Sequence, residues 1–199
     1  MFKELRAGLI LFFLLAGITG LIYPLLATGV GQVLFPSQAN GSLIRVHGQV
    51  VGSERIGQYF REPGYFWSRP SATSPYPYNA DGSGASNLGP NNPQLLQHVA
   101  ARVQALRKAD PGQNAPVPID LVTSSGSGLD PDISLAAAYY QLPRVARESG
   151  IPDATLRALI QQYTSPPFLG FFGEPVVNVV RLDLAIYRIR HGGKEVNSS

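Results

Sequence analysis

A chain of 199 residues is long enough for one domain with a real core plus an appendage. Its 16 Lys and Arg against 13 Asp and Glu leave a formal net charge of +3 with no concentrated basic patch, which argues against nucleic-acid binding through dense phosphate contacts. The absence of cysteine excludes disulfides, thiolate zinc sites and cysteine nucleophiles.

Ala7 to Ile44 carries no charged residue, and residues 7–29, AGLILFFLLAGITGLIYPLLATG, are almost wholly apolar. As a helix rising about 1.5 Å per residue this stretch is roughly 35 Å long, enough to cross a hydrocarbon core of about 30 Å. A cleaved signal peptide has an apolar core of about 7–15 residues and a small-residue cleavage site. The longer core here, with no clean Ala-x-Ala after it, predicts an uncleaved anchor. Pro24 sits near the outer end, where a kink is tolerated. TGVG, Thr28 to Gly31, reads as the end of the helix, and residues 30–41 as a turn-rich linker. Lys3 and Arg6 precede the helix and no Lys or Arg follows until Arg45. The positive-inside rule therefore predicts residues 1–6 in the cytoplasm and the rest outside, in the periplasm of a Gram-negative cell.

Residues 42–190 read as one extracytoplasmic α+β domain. Ser42 to Val51 predicts a hairpin turning at Gly48. Tyr59 to Pro90 is irregular and rich in Pro, Gly and rings, and loops of that length are often functional. Tyr59, Phe60, Tyr65, Phe66, Trp67, Tyr76 and Tyr78 crowd into it. Some must serve the core; Phe66, Trp67, Tyr76 and Tyr78 are the candidates for a docking surface, since Tyr and Trp suit interfaces. Asn92 and Pro93 open a helix with Leu95, Leu96, Val99, Val103 and Leu106 on one face. Val117 to Thr123 predicts a short strand. Asp130 and Pro131 predict the start of a second helix running to Glu148, which Pro143 must kink or break. A third helix spans Pro152 to Tyr163. Pro175 to Ile189 begins as a strand and continues as strand or helix. Residues 191–199 read as a disordered tail.

DLVTSSGSGLDPDIS, Asp120 to Ser134, carries the local form of a phosphate cradle. Ser124 to Gly128 offers backbone N–H groups, yet no lysine stands nearby, and Asp130 and Asp132 place negative charge where a phosphate would sit. A strand-to-helix turn capped by Asp130 accounts better for the residues. A serine hydrolase needs a histidine able to meet a serine and a carboxylate. His47, His98 and His191 are isolated, and Ser127 lacks the Gly-x-Ser-x-Gly spacing. No histidine pair has metal-ligand spacing, so no metal site is expected.

The blocks IGQYF (56–60), YFWSRPSA (65–72), SGASNLGPNNPQL (83–95), DLVTSSGSGLDPDIS (120–134), AAAYYQLPRVARESGI (136–151) and GEPVVNVVRLDLAI (173–186) resemble, in order, the C subunit family of the bacterial potassium-transporting ATPase, the Kdp system. The resemblance implies a non-catalytic inner-membrane subunit of an ATP-driven potassium importer, with one membrane helix and a periplasmic domain. Its implied partners are a channel-like, potassium-binding subunit and a P-type ATPase subunit, besides the lipid bilayer. It also implies a need for the subunit in assembly and a role as catalytic chaperone, raising the ATP affinity of the ATPase subunit. ATP and potassium act elsewhere in the complex, and no cofactor is implied in this chain. A family link to the signature loop of ABC transporters makes Ser125, Gly126, Ser127, Gly128 and Gln141 the nucleotide candidates by resemblance. Positive-inside topology places that loop outside, whereas the ATP site of a P-type ATPase is cytoplasmic. Indirect coupling through membrane helices is therefore expected. A direct nucleotide-binding regulator and a membrane-anchored hydrolase are the alternatives.

Overall fold

The computed structural model describes residues 2–192, so the C-terminal tail expected from 191 onward falls almost entirely outside the described residues. Two compact units divide between Leu43 and Ile44.

The first unit is dominated by one helix, Phe2–Leu34, long and apolar enough to cross a membrane and with none of its residues buried. It comprises α1 (Phe2–Gly17), a π-helical turn (Ile18–Ile22) and α2 (Tyr23–Leu34). The cause of the π turn is local. Pro24 has no N–H for the ordinary helical bond, and just before it the Tyr23 N–H reaches back five residues to the Ile18 carbonyl. The hydroxyl of Thr19 donates to Leu15 O at 2.8 Å in the same region. At about 1.5 Å per residue the whole helix approaches 50 Å. It is thus longer than the 7–29 segment expected, and Thr28 to Gly31 lies within it rather than ending it. Much of the expected linker is ordered too. A one-turn helix, α3 (Pro36–Ala39), follows, and the Asn40 side chain donates to Pro36 O at 2.7 Å and to Gln32 Oε1 at 3.1 Å.

In the second unit, β1 (Leu43–Val46) and β2 (Gln49–Ser53) form the expected hairpin. His47 and Gly48 take φ of 51° and 80°, the pair of positive values that a tight two-residue hairpin needs. Residues 54–92 contain no helix or ladder strand, as their composition predicts. Then come α4 (Pro93–Ala109), β3 (Asp132–Ser134), α5 (Leu135–Ser149), α6 (Asp153–Gln162), β4 (Thr164–Ser165), β5 (Val176–Asn178) and α7 (Val179–Arg190). The three short strands make an antiparallel sheet in the order β3-β5-β4, with Ile133 opposite Val177. Both of those side chains are buried, and with Leu142, Val145, Leu156, Ile160, Leu182, Ile186 and Phe66 they form the centre of an α+β core. Each such side chain contributes about 1.5–3 kcal/mol on full burial.

Two expectations change, and a third is narrowed, since Pro143 does not break its helix. Val117 to Thr123 is not a strand; Ile119–Leu121 is a 3-10 turn. Its Asp120 carboxylate accepts from Ser134 N at 2.7 Å, and the amides of Leu121 and Val122 close back on Pro118 O and Ile119 O, each at 3.1 Å, so they need no neighbouring strand. Asp130 does not cap a helix either. It accepts from Asp132 N at 3.0 Å, β3 intervenes, and Ser134 caps α5 through Ala137 N at 3.0 Å. Finally, Pro143 lies inside α5, which runs on to Ser149. One lost backbone bond is outweighed by the burial of Leu142 and Val145 on either side of it.

Asn178 joins sheet to helix. Its Oδ1 accepts from Arg181 N at 3.0 Å as the cap of α7, while its Nδ2 donates to Glu54 O and Asp132 Oδ1, each at 3.0 Å. Asn178→Ala is expected to cost about 1–2 kcal/mol from the lost cap alone, measurable as a lower denaturation midpoint at unchanged slope.

Candidate functional site

The small-residue loop is a clasp. Ser125 Oγ accepts from Gly128 N at 3.0 Å and Ser127 Oγ from Leu129 N at 3.1 Å. Its carbonyls are also taken. Ser127 O accepts from Gly84 N at 2.8 Å and from Ser83 Oγ at 3.1 Å, and Gly128 O accepts from Ser71 Oγ at 2.7 Å. Next to it, Leu129 O accepts from Gly57 N at 2.8 Å. The loop thus fastens three points of the irregular segment to the front of β3. The Gly128 and Leu129 amides are spent on the loop's own serines, and β3 separates the loop from the N-terminus of α5. Outside the clasp lies a shallow depression of about 520 Å³, walled by Arg55, Arg69, Ser125, Gly126, Ser127 and Asp130. Arg69 is held there by Asp130 at 3.1 Å.

Gln141 does not join this loop. It is buried on α5, where its Oε1 accepts from Trp67 N at 2.8 Å and its Nε2 donates to Trp67 O at 3.0 Å. The side-chain amide pairs with the backbone as a neighbouring strand would. Arg144, one turn on, completes the arrangement. Its guanidinium donates to Pro63 O, to Tyr65 O at 3.0 Å and to Gln141 Oε1 at 2.7 Å, and it lies 4.4 Å from the centre of the Trp67 ring. From α7, the Asp183 carboxylate accepts from Phe66 N at 2.9 Å. Three buried polar side chains therefore clamp Pro63 to Trp67, supplying the partners that this stretch of backbone would otherwise lack.

Burial lowers the pKa of Arg144 to about 10, although the charges of Asp183 and Asp110 oppose this. Burial likewise pushes Asp183 well above its ordinary value, against the pull of the Phe66 N–H and of Arg144. Its second oxygen, Oδ2, is buried with no hydrogen-bond partner. A carboxyl whose folded-state pKa is raised contributes most below its unfolded value, and that contribution is lost as pH rises through the folded value. Asp183→Asn removes this slope while leaving an oxygen to accept from Phe66. The melting temperature of the variant minus that of the wild type is expected to rise between about pH 4 and about pH 8. A flat difference across that range would contradict the assignment.

The docking candidates separate. Phe66 is fully buried, so its ring cannot meet a partner. Trp67 is half-buried under Arg144 and donates its indole N–H to Glu62 O at 3.3 Å. Phe66 is thus an internal anchor, a correction that follows from the full burial of its ring, while Trp67 keeps part of its surface open beside the clamp. Tyr78 is half-buried; its hydroxyl donates to Arg69 O, and burial pushes its pKa up to about 12. Only Tyr76 of the four is exposed, at 54%. Sequence reasoning missed Arg144 and Asp183. The available signal was a polar residue on an apolar helical face: Gln141 and Arg144 share a face of α5, and Asp183 interrupts the apolar run of α7. A larger omission is the link between β4 and β5, where Phe168, Leu169, Phe171 and Phe172 are each more than half exposed.

One helix long and apolar enough to cross a membrane, followed by an α+β domain whose long irregular segment is fastened by a serine-glycine clasp and an arginine clamp, fits a membrane-anchored transport subunit. Residues 5–188 match the sequence model of the KdpC family, K+-transporting ATPase, c chain. This chain belongs to that family. It is 56% identical over 181 residues to the potassium-transporting ATPase KdpC subunit of Janthinobacterium sp. (strain Marseille), covering 91% of this chain and 96% of that one. The subunit of the same name from Polaromonas naphthalenivorans is 58% identical over 182 residues, 92% of this chain and 93% of its own. That of Methylococcus capsulatus is 54% identical over 190 residues, 96% of this chain and all of its own.

Proposed function

We propose that the chain is a non-catalytic accessory subunit of an ATP-driven potassium import complex. The observation that carries this reading is the family match, which runs from the apolar helix through α7. The helix anchors the chain in the inner membrane, and Lys3 and Arg6 hold its N-terminus in the cytoplasm. The α+β domain then lies on the outer face, docked on a channel-like, potassium-binding subunit beside a P-type ATPase subunit. There it supports assembly and raises the ATP affinity of the ATPase subunit by indirect coupling. The clasp favours indirect coupling, because the Gly128 and Leu129 amides already serve Ser125 and Ser127 and β3 keeps the loop away from the N-terminus of α5.

Two measurements test these points. A reporter that works only in the cytoplasm, fused after residue 190, is expected to be silent; activity would reverse the topology. Calorimetry on the full chain in detergent is expected to give no heat of ATP binding. Binding that disappears on Gly126→Ala would replace indirect coupling with a direct nucleotide site.

A further inference from the structure

The turn between β4 and β5 exposes more apolar surface than its own fold can use. Phe168, Leu169, Phe171 and Phe172 are 71%, 69%, 70% and 58% exposed within five residues. The tip is nevertheless ordered. Phe168 N donates to Phe172 O and Phe172 N to Phe168 O, both at 2.9 Å, and the rings of Phe171 and Phe172 stand 4.2 Å apart. Leu169 is held at a φ of 53°, an unfavourable conformation for a branched side chain, with Gly170 following at 83°. A closed, preformed tip loses little conformational freedom on binding.

We propose that this tip is a plug that seats in an apolar pocket of another subunit of the potassium-transporting complex. The inference rests on the function proposed above and identifies the contact. Charge selects a protein pocket over a lipid surface. Between Arg157 and Arg181 the chain has a single charged residue, Glu174, which is exposed beside the tip. Segments that bind the membrane surface carry Lys and Arg for anionic headgroups, with Trp or Tyr at the interface. This tip has neither, and its one charge would be repelled. Phenylalanine anchors entering a pocket, with one acid at the rim, fit the core-and-rim anatomy of a protein interface. The receiving pocket is accordingly apolar with a cationic side chain at its edge, placed to meet Glu174.

The test uses the full chain co-expressed with the other subunits. With the photoreactive p-benzoylphenylalanine in place of Phe171, ultraviolet illumination of membranes is expected to join the chain covalently to another subunit of the complex. The same probe in place of the exposed Leu96 on α4 is expected to give no such adduct. Adducts with lipid alone, with a second copy of this chain alone, or none at all would overturn the proposal. In parallel, the Phe168→Ser, Phe171→Ser, Phe172→Ser variant is expected to melt like wild type but to retain about tenfold less of the other subunits on purification in mild detergent. Should the variant retain them as wild type does, the tip is not the contact while the accessory-subunit reading stands. If wild type itself brings none down, that reading fails first.

Discussion

Arg144→Met is expected to lower the melting temperature by about 6–20 °C. Breaking a buried charged arrangement from one side costs about 3–5 kcal/mol, and in a domain of this size each kcal/mol moves the midpoint by about 2–4 °C. Arg144 is almost wholly buried, and its loss leaves acceptors at Pro63 O, Tyr65 O and Gln141 Oε1 without their guanidinium partner. Methionine preserves most of the apolar stem, so the effect isolates the charge and its hydrogen bonds. Trp67 is the single tryptophan and stacks on the guanidinium, so its fluorescence reports the same event directly. Arg157 is the internal control. It pairs with Asp153 one turn back, both side chains about half exposed at 54% and 52%, and exposed pairs contribute about 0–1 kcal/mol. Arg157→Met is thus expected to shift the midpoint by at most a few degrees. Equal effects from the two variants would remove the clamp from the account.

The second large effect is expected at Gly128. A Cβ there would stand 2.6 Å from Gly84 O and 2.8 Å from Thr73 Cγ2, and the backbone is held at a φ of 68°. Overpacking costs about 1–3 kcal/mol, and the left-handed backbone adds roughly 1–2 kcal/mol for a residue other than glycine. Gly128→Ala should therefore destabilise the domain by about 2–5 kcal/mol. Nothing lies within 4 Å of a Cβ at Gly126, so Gly126→Ala should melt like wild type. A phosphate cradle would depend on both glycines for its ligand, whereas a clasp depends on Gly128 for its fold. Denaturation curves of the two variants separate those roles.

Legibility in the sequence followed the range of the interactions. The apolar helix, the hairpin turning at Gly48, the Asn92-Pro93 start of α4 and the strand that opens Pro175 to Ile189 are set by neighbours in the chain, and the structure contains each of them, resolving the open strand-or-helix continuation as α7. The errors arose where distant partners decide. Asp130 has the form of a helix cap, but Arg69 and the paired strand β3 claim its surroundings. Val117 to Thr123 has strand composition, but Asp120 is drawn to Ser134 instead. Phe66 belongs to an aromatic run that reads as surface until Asp183, 117 residues away, fixes its backbone in the core. The resemblance identified the family from ordered blocks of residues, yet it could not show that Gln141 holds Trp67 and lies apart from the serine-glycine loop.

Potassium-stimulated ATP hydrolysis tests the functional account most directly, measured across ATP concentrations in membranes where the other subunits are expressed with and without this chain. An accessory subunit that supports assembly and raises ATP affinity predicts hydrolysis at low ATP only when the chain is present. The same rate and the same dependence on ATP in its absence would contradict it.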